Sequence, residues 1–470
     1  MSEAQALFKV LGQSADPVAA AAIEQHVKGA PDRELSRINV LDFAARHGVD
    51  EERAIGAFLH GARLGLFELS WNVLCSGCGG VLDSNATLKS MRHDEYACAL
   101  CAAGYEATLD EMVEVAFTVS PRVRRIEAHD PDTLPFSEYL RQIFWSSGVD
   151  LPADEAYERL LEKIVIDTVD LAPGEKAILS LHLPAQFCIL FDPVTHSTQF
   201  LDVQGDATRE RQNLTVVFNK LQAPTGRVKM RPGTIRLVLE NRTDVRVLPG
   251  VWVAGEEMHD LLGKRKRFLT AKRLLTNQTF RDIYRTDALD VDQRLKITSL
   301  TFLFTDLKGS TDLYERVGDL VAYDMVRAHF RVLHEVVASE AGAVVKTIGD
   351  AVMATFATPD RAVAAALKMR AAMRALNAER EHEDLLLKIG MHEGPCLAVM
   401  LNDRLDYFGQ TVNIAARVQG LAVSRSIFVT KPVVANEQTA RLLAAAGLTP
   451  VPQQALLRGI ADQVTVYEIP

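Results

Sequence analysis

Three short stretches of this chain carry residue types that could handle a phosphorylated nucleotide. The first is Phe304-Thr305-Asp306-Leu307-Lys308-Gly309-Ser310-Thr311 and the second Lys346-Thr347-Ile348-Gly349-Asp350. The third is Asp406-Tyr407-Phe408-Gly409-Gln410-Thr411-Val412-Asn413-Ile414-Ala415-Ala416-Arg417. Together they offer a pair of carboxylates for divalent metal, a Lys/Asp pair able to read a purine edge, and an Asn/Arg pair suited to a pentavalent phosphorus. Cyclisation of a nucleoside triphosphate would draw on all of these. In that reaction the 3′-oxygen attacks the α-phosphorus while pyrophosphate leaves, so negative charge must be neutralised at both ends.

Local structure decides whether such groups can meet. The apolar, β-branched run 297–305 predicts a buried strand that ends at Asp306. Gly309-Ser310-Thr311 then opens a helix whose first amides point back at the same spot and favour phosphate. Runs 343–348 and 351–356 read as two strands joined at Gly349-Asp350 by a tight hairpin. If that hairpin pairs beside the first strand, Asp350 comes close to Asp306 and both acids can grip one metal pair. Asn413 and Arg417 stand one helical turn apart, which puts amide and guanidinium on the same face. Singly, each residue has a plainer reading: an Asp closing a strand is often a turn or cap residue, and a lone Lys or Asp is usually solvated. Their joint occurrence carries the inference.

In order and spacing these motifs resemble the class III adenylate/guanylate cyclase family, over residues 296–470. The resemblance implies an α+β catalytic domain of ferredoxin-like, palm type. It implies Asp306 and Asp350 as ligands of two Mg2+ or Mn2+ ions per active site. Lys346 and Asp406 would read adenine, where guanine readers usually carry Glu and Cys, so ATP is the expected substrate. Gly309, Ser310 and Thr311 would lie at the phosphates, Asn413 would orient the ribose, and Arg417 would stabilise the phosphorane. Members of the family work as head-to-tail dimers, with the metal acids from one subunit and the base-reading and Asn/Arg groups from its twin, so a homodimer with shared sites at the interface is expected. One departure bears on base selectivity. After Ile389-Gly390-Met391-His392-Glu393-Gly394 the family commonly has a V-A-G-x-x-G segment, whereas here Cys396-Leu397-Ala398-Val399-Met400-Leu401 leads quickly through Asn402-Asp403-Arg404 to Asp406. A guanylate or pyrimidine nucleotide cyclase is therefore the nearest rival, and a catalytically silent cyclase-like module for nucleotide binding or dimerisation the next. The hairpin motif of diguanylate cyclases is missing at Ile348-Gly349-Asp350-Ala351.

Upstream, Cys75-Ser76-Gly77-Cys78 and Cys98-Ala99-Leu100-Cys101 form paired CxxC knuckles separated by nineteen residues. That spacing lets four thiolates converge on structural Zn2+ with no open position for catalysis, the pattern of a zinc ribbon over 71–106. Residues 1–70 read as a helical, winged-helix-like unit, with Asp50 as a cap. The short apolar runs of 107–255 predict an antiparallel, sandwich-like β domain, interrupted by helical stretches at 135–146 and 154–164. Residues 256–295 read as a helical linker that carries Lys264, Arg265, Lys266, Arg267, Lys272 and Arg273. This order of parts resembles an uncharacterised regulatory region found before some bacterial cyclases.

The charge balance of −9 and the acids Glu51 and Glu52 on the second helix of the winged-helix-like pair, where a DNA-reading helix would need cations, weigh against a nucleic-acid partner. No apolar run is long enough to span a bilayer, and the N-terminus lacks an export signal, so a cytoplasmic protein with no integral membrane segment is expected.

Overall fold

The computed structural model describes residues 3–91, 95–106, 108–219, 226–284, 294–379, 385–401, 404–422, 426–459 and 463–470. It divides into two compact units: Met1–Ala86, Arg92–Ala107 and Glu111–Leu269 form one, and Thr87–Met91, Thr108–Asp110 and Thr270–Pro470 the other. The protein is a multidomain α+β chain.

The first unit begins with helices Glu3–Ser14, Pro17–Gly29, Val40–His47 and Glu51–Leu64. Asp16, Asn39 and Asp50 each cap the helix that follows by accepting two backbone amides. Gly48, at φ 64°, ends the third in the left-handed conformation. Phe43 and Phe58 meet edge-to-face at 5.0 Å within the helical core. Strand Phe67–Leu74 follows, flanked by Val81–Asn85 and Val113–Val119, both antiparallel. The strand at 113–119 thus belongs with the helices and not with the later β domain where its position in sequence had put it. Its register sets Phe67 opposite Val119 and brings the Phe117 ring to 5.1 Å from Phe58.

The β-rich region contains a three-stranded and a five-stranded sheet that share one apolar core, with Leu183, Leu190, Leu201, Phe218, Ile235 and Val251 among its members. The expectation of purely antiparallel pairing fails here. Thr208–Phe218 runs parallel to Gly233–Asn241, and Ser197–Val203 runs parallel to Arg227–Met230. The chain alternates between the sheets in this stretch, so a strand returns to its own sheet after two reversals and points the same way as its predecessor. Half of the basic run after it is paired with acids of the chain: Lys266 with Asp150, Arg267 with Glu51, and Lys272 with Asp110.

In the second unit we label α1 (Ala271–Leu275), α2 (Gln278–Ile283), β1 (Leu295–Leu307), α3 (Ser310–Val317), α4 (Asp319–Ser339), β2 (Gly342–Ile348), β3 (Ala351–Phe356), α5 (Pro359–Glu379), β4 (Leu387–Leu401), β5 (Arg404–Phe408), α6 (Gln410–Leu421), β6 (Ile427–Thr430), β7 (Val451–Leu456) and β8 (Gln463–Ile469). The sheet runs β2-β3-β1-β4-β6-β8-β7, with β5 paired to β4. β1 to β4, with α3, α4 and α5 between them, follow a strand–helix–strand–strand–helix–strand order in which neighbours are antiparallel. α4 and α5 bury Leu333, Val337, Val363, Ala366 and Met369 against Leu303, Val352, Ala354 and Met391 of the strands. That core fixes the strand ends that carry the site. Among the described residues no helix is long and apolar enough to cross a membrane.

Candidate functional site

β1 is buried almost throughout and delivers Asp306 to its end, where the side chain is 33% exposed. Gly349, at φ 62°, lets the β2–β3 hairpin turn tightly and sets Asp350 at its tip. The Asp350 carboxylate accepts the Leu307 amide at 3.3 Å, so the two acids flank one residue of β1. Their oxygens are the donors a hard divalent cation prefers, and the donor set fits Mg2+ or Mn2+. β4 places Lys388 directly opposite Asp306, with Nζ 3.3 Å from the carboxylate. The sequence reading passed over Lys388, because only the strand register reveals it. Behind the hairpin, His329 of α4 is fully buried, and burial pushes its pKa down to about 4 against the opposing charge of Asp350. A neutral imidazole there adds no cation to compete with metal.

Gly309 adopts φ 72° and Ser310 begins α3, with the Leu313 amide donating to the Gly309 carbonyl at 3.0 Å. The Thr311 side chain lies outside the described residues, as do Asn402 and Asp403. Lys346 of β2 and Asp406 of β5 form an ion pair at 2.5 Å, in which the carboxylate is buried and the ammonium 40% exposed. The other Asp406 oxygen accepts the Tyr407 amide at 2.8 Å. Such a pair presents a donor and an acceptor side by side, the pattern of an aminopurine edge reversed.

α6 carries Asn413, exposed, and Arg417, half-buried, on one face. Two glycines of β4 let this helix lie close. A Cβ on Gly390 would sit 2.1 Å from the Gln419 backbone nitrogen, and one on Gly394 would meet the Thr411 hydroxyl at 2.8 Å. Among the described residues no hydrogen bond or ion pair joins Asn413 or Arg417 to the acids or to the Lys346–Asp406 pair. The structure therefore brings Asp306 to Asp350, and Lys346 to Asp406, while Asn413 and Arg417 share a face of α6 and are bonded to neither pair.

The four cysteines 75, 78, 98 and 101 converge in the first unit, with all sulfurs within 4.8 Å of one another. Cys75 to Cys101 and Cys78 to Cys98 are each 3.7 Å apart. Zinc–thiolate bonds of about 2.3 Å arranged tetrahedrally require sulfurs about 3.8 Å apart, so the cluster fits the ion. The Cys78 and Gly80 amides point at Sγ of Cys75 and Cys78, each at 3.4 Å, as outer partners of thiolates.

Residues 1–282 match a family described as "Family of unknown function (DUF5939)", and residues 293–451 match the "Adenylate and Guanylate cyclase catalytic domain". The adenylate cyclase of Anabaena cylindrica is 26% identical over 185 residues, which are 36% of each chain. Adenylate cyclase 2 of Rhizobium meliloti is 33% identical over 143 residues, 27% of this chain and 39% of that one. The chain thus spans under two-fifths of the length of either relative. Among solved structures, the adenylyl cyclase CyaB of P. aeruginosa aligns at 20% identity with a TM-score of 0.34, over 38% of this chain and 96% of that one. The two family matches settle the family: the chain belongs to that family of unknown function, and its C-terminal part is a class III adenylate/guanylate cyclase catalytic domain.

Proposed function

We propose that the protein is an adenylate cyclase, making 3′,5′-cyclic AMP and pyrophosphate from ATP in a homodimer whose sites are shared between copies. The observation that carries the choice of base is the Lys346–Asp406 pair, which stands ready to meet the N1 acceptor and the 6-amino donor of adenine. Asp306 and Asp350 hold the divalent ions, and Lys388 is placed to meet the incoming triphosphate. The bound metal supplies charge neutralisation and activation of the 3′-hydroxyl. The first amides of α3, at Gly309, Ser310 and Thr311, face the phosphates. Asn413 orients the ribose, and Arg417 of the second copy steadies the charge that grows on phosphorus. Among the described residues Asn413 and Arg417 make no hydrogen bond or ion pair to the acids of their own chain, which is compatible with this division between copies. We read 1–70 as a winged-helix-like unit, 71–106 as a zinc ribbon, 107–255, apart from the strand Val113–Val119 that pairs with Phe67–Leu74, as a sandwich-like regulatory domain, 256–295 as a linker, and 296–470 as the ferredoxin-like, palm-type catalytic domain of a cytoplasmic signalling enzyme.

The test is product identification by mass spectrometry after incubating the full chain with ATP, GTP, CTP or UTP and Mn2+ or Mg2+. Cyclic AMP should dominate, and Asp306→Asn and Asp350→Asn should each abolish it while the fold is kept. Mixing Asp306→Asn with Arg417→Ala chains should restore part of the activity, because one of the two mixed sites is then intact. Cyclic GMP as the main product would overturn the base assignment. No cyclic product with any metal would overturn the enzyme.

A further inference from the structure

The linker helices carry side chains that the reaction scheme above leaves without a role. β2 is the edge strand of the sheet, and its register slips between Val344 and Lys346, so Val345 drops out of the β2–β3 ladder beside Lys346. α2 takes up what this bulge leaves open. The Gln278 side-chain oxygen accepts the Val344 amide at 2.8 Å, and Asp282 in turn holds the Gln278 amide group at 3.0 Å. Arg281 reaches further. Its Nη2 donates to the Leu405 carbonyl at 2.7 Å and lies 3.5 Å from the Val345 carbonyl. These carbonyls belong to the residues just before Asp406 and Lys346. The guanidinium also sits 6.0 Å from the centre of the Tyr407 ring, whose hydroxyl donates to the Leu275 carbonyl of α1 at 3.3 Å.

We propose that Arg281 is a positioning residue for base recognition: from the linker it ties the strand bearing Lys346 to the strand bearing Asp406 and so sets the spacing of the pair. This rests on the reading of that pair as the adenine contact. β2 and β5 are not neighbours in the sheet, since β3, β1 and β4 intervene, and no backbone ladder joins them. Among the described residues, the Lys346–Asp406 ion pair and the Arg281 bridge behind it link the two strands. A purine that enters between the two side chains must loosen the ion pair, and the Arg281 bridge is then what keeps the strands in register. Movement of α2 would reach base recognition before it reached the metal acids.

The test uses the full chain and steady-state kinetics with ATP and GTP. Arg281→Ala should raise KM for ATP about tenfold with kcat changed less than about threefold, and should narrow the preference for ATP over GTP. Arg281→Lys, which keeps one donor, should recover part of the loss. In a Lys346→Ala, Asp406→Ala background, Arg281→Ala should add less than about twofold, because the pair it positions is gone. A fall in kcat at constant KM, or a full additional loss in that background, would overturn the proposal. If Lys346→Ala shifts base preference and Arg281→Ala does not, the bridge alone fails. If Lys346→Ala leaves preference intact, the reading of the pair as adenine contact fails and this proposal falls with it. Should Arg281→Ala not fold, Arg281→Lys and Gln278→Leu carry the same comparison, each with a smaller rise in KM and no change in kcat.

Discussion

Gly390→Ala tests the claim that the seat of α6 on β4 sets the catalytic geometry. The added Cβ would lie 2.1 Å from the Gln419 nitrogen and 2.3 Å from its Cα, where ordinary contact begins at 3.4 Å. Both partners are backbone, on a helix and a central strand, so no side chain can swing aside. α6 must retreat by about 1.3 Å near Gln419, two residues beyond Arg417, at about 1–3 kcal/mol of overpacking. A misplacement of about 1 Å can lower a rate about a hundredfold when reacting groups must align. Cyclase activity should therefore fall by about that factor, chiefly in kcat, while the melting temperature drops by only a few degrees. Gly420→Ala is the control on the same helix, since nothing lies within 4 Å of its would-be Cβ, and it should leave activity unchanged. Gly394→Ala should fall between the two, because the atom it meets is the Thr411 hydroxyl at the end of a side chain. If Gly390→Ala folds and turns over like the parent protein, the position of α6 does not govern the reaction and the assignment of Arg417 loses its support.

Two further outcomes follow from burial and ligand chemistry. The full chain should carry one zinc per copy by elemental analysis, and Cys78→Ser should lose that zinc and lower the melting temperature, whereas Cys188→Ser, at a lone buried thiol, should keep the metal; retention of zinc by Cys78→Ser would refute the site. His329 should make the metal-free protein acid-sensitive. Its folded pKa of about 4 lies below the ordinary 6.5, so the unfolded chain takes up the proton first, and stability present above pH 6.5 is lost as pH falls towards 4. The loss is about 2 kcal/mol by pH 5, and urea unfolding of His329→Leu should show a pH dependence flatter by that amount; an unchanged dependence would show that the ring is not held neutral.

What could be read from sequence here was local. Asp306 at a strand end, Asp350 at a hairpin tip and Asn413 with Arg417 on one helical turn each depend on a few consecutive residues, and the structure puts each on the expected element. The paired CxxC knuckles likewise needed only their spacing. Pairing between distant strands was not legible in the same way. Residues 113–119 have the alternation of a strand, yet nothing in them says that Phe67–Leu74 is the partner. Thr208–Phe218 lies in a stretch whose short apolar runs predict antiparallel pairing, and only the crossing between sheets makes its neighbour parallel. Lys388 and Arg281 were missed for that reason. One acquires meaning only from the β1–β4 register that sets it against Asp306, and the other only from the convergence of β2 and β5 on α2.

The same distinction bears on how such a site can be controlled. Asp306 and Asp350 are held by the β1–β3 ladder and by the Leu307 amide, contacts that lie deep in the sheet and resist small displacements. Lys346 and Asp406 sit on an edge strand and a short strand, joined by one ion pair and one arginine from the linker. An edge strand with a bulge deforms more easily than a central ladder, since it has a neighbouring strand on one side only. A signal arriving through the linker would then alter how the base is gripped while leaving the metal acids in place, and regulation would appear in KM and base preference ahead of kcat.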